Sequence, residues 1–376
     1  MRVFVKFFAE ENLGDDLFLK ILLERYPDIQ FVILAKEHYK KIFRDYKNLI
    51  VVNDNLTTKS KKIGYRLNMV FLRNFFPDKY QSRIQTFTEK LYKDEFIKSD
   101  AFVSIGGSIF IQPKLLPFYQ DIILYDYVNQ VFKKTFFIGC NFGPYNDPSY
   151  KSNYIEIFKQ ATDVCFREKA SYDEFKDLSN VRWKPDVVFS LKVTRVEKIK
   201  KSVGFSIVSP RDNTNPTEYI NKYVELIKFY QSQNYIIKLF SFCKKHGDEK
   251  TIENILKLIG NERNISKVFY RGDINSFLEE FSSVEKTFCG RFHAMILSML
   301  YKQNFYAIAY SKKMTNVLND INFKGKYIKM EDFYKIIPSE IDGILEANHA
   351  IIDDQIIESE KQFEALDSLL NTQTNI

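Results

Sequence analysis

Short apolar runs alternate with longer amphipathic stretches from one end of the chain to the other, and this alternation limits the fold more than any other feature. The strand-length runs in the first half are RVFVKFF, IQFVILA, LIVVND, AFVSIGG, TFFIGC and DVCFRE. VGFSIV, YIIKLFSF, KVFYRG, KTFCG and NFYAIAY follow in the second, with helix-length segments such as PTEYINKYVELIKFYQSQ and DEKTIENILKLIG between them. Strands that alternate with helical patterns predict a parallel α/β architecture. At 376 residues the chain exceeds one ordinary core, so two domains are expected. RWKPDVVFSL closes the first half, and KVTRVEKIKKS, polar and basic, reads as a linker. The expected domains are therefore residues 1–195 and 196–376. Residues 350–376 read as an acidic amphipathic helix free to return to the first domain. Two open α/β domains of similar size predict a cleft, with ligands at the carboxyl ends of the strands.

Composition excludes several classes. Apolar residues make up 45% and charged residues 27%, an ordinary globular balance. The formal charge of +7 is modest and spread out; it suits an anionic substrate or a membrane surface and gives no argument for nucleic acid. The four cysteines, Cys140, Cys165, Cys243 and Cys289, contain no CxxC pair, so neither a zinc site nor a disulfide framework is expected. MRVFVKFFAEENLGDD does not read as a signal peptide, and no run approaches a membrane span. The expected location is cytoplasmic. Residues 59–83 interleave basic residues with Met69, Phe71, Leu72, Phe75 and Phe76, which fits peripheral contact with the inner face of a membrane. The same pattern fits a helix packing its apolar face inward.

Candidate functional residues collect where strands end. In KTFCGRFHAMILSML, Gly290 permits a tight turn from strand to helix, and Arg291 and His293 follow at once. A helix start offers free N–H groups and a positive dipole end to an anion. Arg291 has the planar fork for a carboxylate or phosphate, and His293 is suited to move a proton near neutral pH. A capping arginine with a packed histidine fits the same spacing. Arg211, in SIVSPRDN, also follows a strand; it is placed for an anion or for an ion pair with Asp212. Gly106, Gly107 and Ser108, in SIGGSIFIQ, fit either close backbone approach to a ligand or a tight structural turn. Asn12, Gly14 and Asp15, in AEENLGDDLFLK, lie at a strand-to-helix turn expected to face the same cleft, where Asp15 also fits a helix cap. Lys313, in YSKKMTNVLND, is placed to neutralise a phosphate. For His246 and Asp248 the expectation is a surface histidine and a helix N-cap. For Arg167 and Glu168 it is an internal ion pair, with Ser171 as a cap. No obligatory metal or cofactor is expected.

Taken in order, these pieces resemble the polysaccharide pyruvyl transferase family. The resemblance runs through NLGDD, SIGGSIFIQ, IGCNFGPYND, FREKASYDEF, KPDVVFSL, VGFSIVSPRDN, FSFCKKHGDE, CGRFHAMILSML and YSKKM, about residues 10 to 320. Its most specific piece is the G-x-R-x-H of Gly290, Arg291 and His293. IGCNFGPYND and SIGGS carry fewer glycines than the family's usual versions. The resemblance implies two Rossmann-like domains facing a cleft, similar to the glycosyltransferase B-type fold, with the acceptor on the first domain and the donor on the second. It implies transfer of the pyruvyl group of phosphoenolpyruvate onto two hydroxyls of a sugar, free or lipid-linked, in a bacterial polysaccharide such as a capsule or exopolysaccharide. A cyclic ketal forms and phosphate leaves. It carries His293 onto acid catalysis, and Arg211, Arg291 and Lys313 onto donor binding. Two other readings compete: a sugar-nucleotide-dependent glycosyltransferase on the same architecture, and a non-catalytic partner in glycan assembly.

Overall fold

The computed structural model describes residues 1–53, 71–72, 74–113, 119–194, 196–211 and 213–371. The chain divides into two compact units, each built on one sheet. The first comprises residues 1–9, 19–186 and 361–376; the second comprises 10–18 and 187–360.

In the first unit β1 (Arg2–Lys6), β2 (Gln30–Ala35), β3 (Leu49–Asn53), β4 (Ala101–Ile105), β5 (Thr135–Cys140), β6 (Asp163–Phe166) and β7 (Val181–Trp183) form a parallel sheet of order β3-β2-β1-β4-β5-β6-β7. The strands β4, β5 and β6 are buried at every position, because helices cover a parallel sheet on both faces. Their apolar runs pack with the helices Tyr119–Val131 and Pro148–Lys159 in a core crowded with aromatic rings. Phe110, Tyr125, Phe137, Tyr154 and Phe158 meet there with centroids about 5–6 Å apart, mostly edge to face.

The second unit repeats the plan. Its strands are β8 (Ile199–Ser206), β9 (Ile236–Ser241), β10 (Ile265–Phe269), β11 (Val284–Cys289), β12 (Asn304–Ala309) and β13 (Ile328–Lys329), all parallel, in the order β10-β9-β8-β11-β12-β13. The helix Pro216–Ser232 begins with Asn215, whose side chain accepts from the Thr217 and Glu218 N–H groups, and with Pro216 in the first turn. It buries Tyr219, Tyr223, Leu226, Ile227 and Tyr230, spaced three and four residues apart, against β8 and β9. In both sheets the strand order reverses beside the first strand. This is the doubly wound arrangement in which ligands gather at the carboxyl ends.

Several local expectations change. The linker reading of KVTRVEKIKKS fails at its end, because β8 already includes Ile199–Ser202. Sheet pairing with β11 and the burial of Ser202 outweigh the basic composition there. The C-terminal tail is not one helix. It breaks into the helices Asp353–Glu360 and Glu364–Asn371, joined by a 3-10 turn at Lys361–Phe363. Gln362, fully buried at this break, has two amide N–H groups that the carbonyls of Lys184 at 2.7 Å, Pro185 at 2.9 Å and Phe166 at 3.2 Å share, and it accepts from Gly139 N–H. These bonds to backbone groups of the first unit hold the turn there. The short edge strand β13 has no clear periodic signal in the sequence. Of the segment 59–83, residues 59–70 and 73 lie outside the described residues. Phe71, Phe75 and Phe76 are exposed, and the helix Pro77–Phe96 buries Tyr80 and Ile84.

Candidate active site

Gly290 follows strand β11, where the chain must pass very close to β8. A β-carbon on Gly290 would stand 2.4 Å from the Ser206 carbonyl oxygen, and the Gly290 N–H donates to that same oxygen at 2.9 Å. Only glycine fits this approach at the strand-order reversal. The following helix, Phe292–Leu300, is buried along its length apart from His293, which is half-buried. Strand and helix together thus bring Arg291 and His293 to the carboxyl end of the sheet.

Arg291 is buried and held on one side by Asp248, which is fully buried. Its Nε donates to Asp248 Oδ2 at 3.0 Å, and its Nη2 donates to Asp248 Oδ1. Asp248 Oδ2 also accepts the backbone N–H groups of Phe242 and Cys243, each at 3.1 Å, at the end of β9. Burial leaves the Asp248 carboxyl above its ordinary range, although the guanidinium and the two N–H groups pull it down in part. With four donors on two oxygens, the ionised form is the one this geometry supports. Burial alone would lower the Arg291 pKa; the Asp248 carboxylate reverses that and raises it. The paired contact expected between Arg291 and an anionic ligand is therefore already made, inside the protein. Arg291 enters the site as a fixed positive charge.

On its other arm, Arg291 Nη1 lies 3.1 Å from His246 Nδ1. Arginine only donates, so this nitrogen of His246 accepts and the imidazole is neutral. Burial first, and then the charges of Arg291, Arg211, Lys313 and Lys245, lower the His246 pKa to about 4. The surface role expected for His246 is thus replaced by a place in the cationic cluster. Asp248, expected as a cap, starts its helix while its side chain serves Arg291. A testable consequence follows from the sign of the shift. Between pH 6.5 and 4 the unfolded chain binds a proton at this histidine that the folded chain does not. Stability contributed here is present above pH 6.5 and lost as the pH falls towards 4. In the His246→Gln variant, urea titrations across this range should show a shallower loss of stability than wild type; an identical slope would exclude the assignment.

Tyr310, just past β12, ties the remaining cations together. The Arg211 guanidinium carbon lies 5.1 Å from its ring centroid and Lys313 Nζ lies 5.2 Å from it. Lys313 Nζ is also 5.4 Å from the Phe292 ring. Burial would raise the Tyr310 pKa, but Lys313, Arg291 and Arg211 together bring it below the ordinary value. Arg211 is exposed, and Asp212 lies outside the described residues. Arg211, Arg291 and Lys313, far apart in sequence, thus converge on one region of the second unit, with His246 and Tyr310 among them. His246, Asp248 and Tyr310 escape a reading of spacing alone; their only signal is that each follows the end of a strand.

Residues 10–18 group with the second unit, so Asn12, Gly14 and Asp15 belong to the same unit as Arg211, Arg291 and Lys313. Asn12 bridges to Cys243, and the Leu13 N–H donates to the Phe242 carbonyl at 3.1 Å. Asn12 accepts from Gly14 N–H at 3.2 Å and donates to Asp15 at 2.6 Å. The Asn12 side chain thus accepts from the first turn of helix Leu13–Arg25.

In the first unit, Gly106, Gly107 and Ser108 follow β4. The room left by Gly107 is filled from within: its β-carbon would stand 2.1 Å from Arg167 Nη1. Arg167 is buried and pairs with Asp186 at 2.9 Å; it also donates to Asn141 at 2.5 Å and to Ser108 at 3.3 Å. The Glu168 carboxylate accepts from Ser171 at 2.8 Å. The four cysteines are buried and free. Among the described residues no group of three or more His, Cys, Asp and Glu is arranged to hold a metal ion. No described helix is long and apolar enough to cross a membrane.

Fold and site define a two-unit α/β protein of the glycosyltransferase B-type class, with a cationic cluster at the carboxyl ends of its second sheet. The UDP-GlcNAc 2-epimerase of Neisseria meningitidis, solved with UDP-GlcNAc, is similar in fold, with a TM-score of 0.63 at 10% identity over 99% of this chain and 100% of that one. A UDP-N-acetylglucosamine 2-epimerase described as putative, from Listeria monocytogenes, gives 0.58 at 10% over 100% and 96%. Alr3699/HepE of Anabaena, solved with UDP and glucose, gives 0.54 at 10% over 100% and 99%. None of the curated proteins compared with the chain matches it. The sequence model of the polysaccharide pyruvyl transferase family matches residues 12–312. The chain belongs to that family, which makes it a transferase of polysaccharide biosynthesis acting on a saccharide acceptor.

Proposed function

We propose that the protein moves the pyruvyl group of phosphoenolpyruvate onto two hydroxyls of a sugar, forming a cyclic ketal and releasing phosphate. The convergence of Arg211, Arg291 and Lys313 around Tyr310, with His293 two residues after Arg291 in the chain, carries this reading. Phosphoenolpyruvate presents a carboxylate and a phosphate on a three-carbon frame, and clustered cations suit both. Arg211 and Lys313 contact the donor's oxygens, while Arg291 supplies a charge that Asp248 keeps in place.

The reaction balances as follows. His293, protonated, gives its proton to the methylene carbon, which becomes the methyl group. The cationic C2 is attacked by one sugar hydroxyl, whose proton returns to the imidazole. The second hydroxyl then attacks C2, the C–O bond to phosphate breaks, and that hydroxyl's proton leaves with the phosphate. The cations stabilise charge as it moves onto the leaving group.

The direct test offers the protein phosphoenolpyruvate or nucleotide sugars with a panel of saccharides. Released phosphate, and products heavier by one pyruvate less one water, are expected. Nucleotide release with a glycosyl gain would instead favour the sugar-nucleotide reading, to which the UDP-bound relatives in fold give some weight. Arg211→Gln should raise the KM for phosphoenolpyruvate about tenfold or more, the size expected on losing a charged hydrogen bond. An unchanged KM would remove Arg211 from the donor site.

A further inference from the structure

We infer that Gly14 is the seat of His293: the missing side chain at position 14 sets the imidazole's position. An ideal β-carbon on Gly14 would stand 1.8 Å from His293 Nδ1, 2.4 Å from Cε1 and 2.7 Å from Cγ. The Nδ1 side of the ring therefore lies close against the first turn of helix Leu13–Arg25. Two aromatic rings also meet it. Phe18 meets it at 5.7 Å and 77°, and Phe292 at 5.0 Å and 85°, both edge to face. A methyl group at position 14 leaves the imidazole no room in its present place.

The turn cannot retreat to make room. Leu13 N–H is bonded to the Phe242 carbonyl, Asn12 bridges to Cys243, and the Tyr270 hydroxyl donates to the fully buried Asp16 at 2.6 Å. The contacts close into a ring. Gly14 touches His293, His293 is two residues from Arg291, and Arg291 is bonded to Asp248. Asp248 accepts from Phe242 and Cys243, on which Asn12 and Leu13 are docked. The imidazole is thus located by a segment nearly 280 residues away in sequence, as its position at Gly14 shows. Gly14 is a positioning residue, and its effect on activity rests on His293 being the proton donor; its packing against His293 does not.

The test is Gly14→Ala, alone and with His293→Ala, in the full chain. Alanine is the better helix former, so a merely helical role predicts a higher thermal midpoint. A seat for the imidazole predicts a lower midpoint for Gly14→Ala in the His293 background. In the His293→Ala background the midpoint should stay unchanged or rise, because the obstructing ring is gone. For pyruvyl transfer, kcat should fall by about 10²-fold while the KM for phosphoenolpyruvate stays near wild type, as expected for a misplaced acid. An equal fall in midpoint in both backgrounds, or wild-type kcat in Gly14→Ala, would overturn the inference. Coupled midpoints in a protein that transfers no pyruvyl group would support the seat and overturn the functional reading instead.

Discussion

Asp248→Asn is expected to destabilise the protein by about 3–5 kcal/mol, the usual cost of stranding one member of a buried ion pair. Asparagine keeps the shape and retains an oxygen for the N–H groups of Phe242 and Cys243, so the change isolates the charge. What it removes is the partner of Arg291, whose Nε and Nη2 both donate to this carboxylate within the core. The amide's own N–H groups would then face a guanidinium that can only donate. Because Arg291 is held in the site by this contact, the KM for phosphoenolpyruvate should rise in the same variant. Denaturant unfolding of the full chain and steady-state kinetics read the two effects separately. A loss of stability under about 1 kcal/mol, the range of an exposed pair, would show that the carboxylate does not carry the guanidinium.

His293→Gln should lower kcat by about 10²–10⁴-fold, the range a positioned general acid contributes. Glutamine offers a hydrogen-bond donor of similar length and no proton that can be transferred at neutral pH. The cations proposed to hold the donor, Arg211, Arg291 and Lys313, are untouched by the change, and the KM for phosphoenolpyruvate should stay within a few-fold of wild type. That split distinguishes an acid from a binding group, which would raise KM and leave kcat nearly intact. Retained turnover would assign the proton to another group.

Much of the architecture could be read without coordinates, and the reason is local. A strand buried on both faces must be apolar throughout, so AFVSI, TFFIGC and DVCF declare themselves. Helices such as Asp248–Ile259 declare themselves through the spacing of Ile252, Ile255, Leu256 and Ile259. The short strand β13 and the break at Lys361–Phe363 do not, because they depend on sheet pairing and on the bonds of Gln362 with distant carbonyls. Arg291 and His293 were legible for the same local reason. A strand, a glycine and a helix occur in immediate succession, and that succession delivers polar side chains to the carboxyl end of a sheet.

What the sequence by itself determined is therefore the parallel α/β class, the main strands, and Arg211, Arg291, His293 and Lys313 as candidates at strand ends. Those features follow from burial and chain direction, which each short segment encodes alone. Only the tertiary structure decided which partner each charge would take: Arg291 with Asp248 and His246, Arg167 with Asp186, and Lys313 with Tyr310. It likewise decided that Gly14 would lie under His293. Desolvated charges and close backbone contacts are settled by distances in space, and residues far apart in sequence become neighbours only when the sheet assembles.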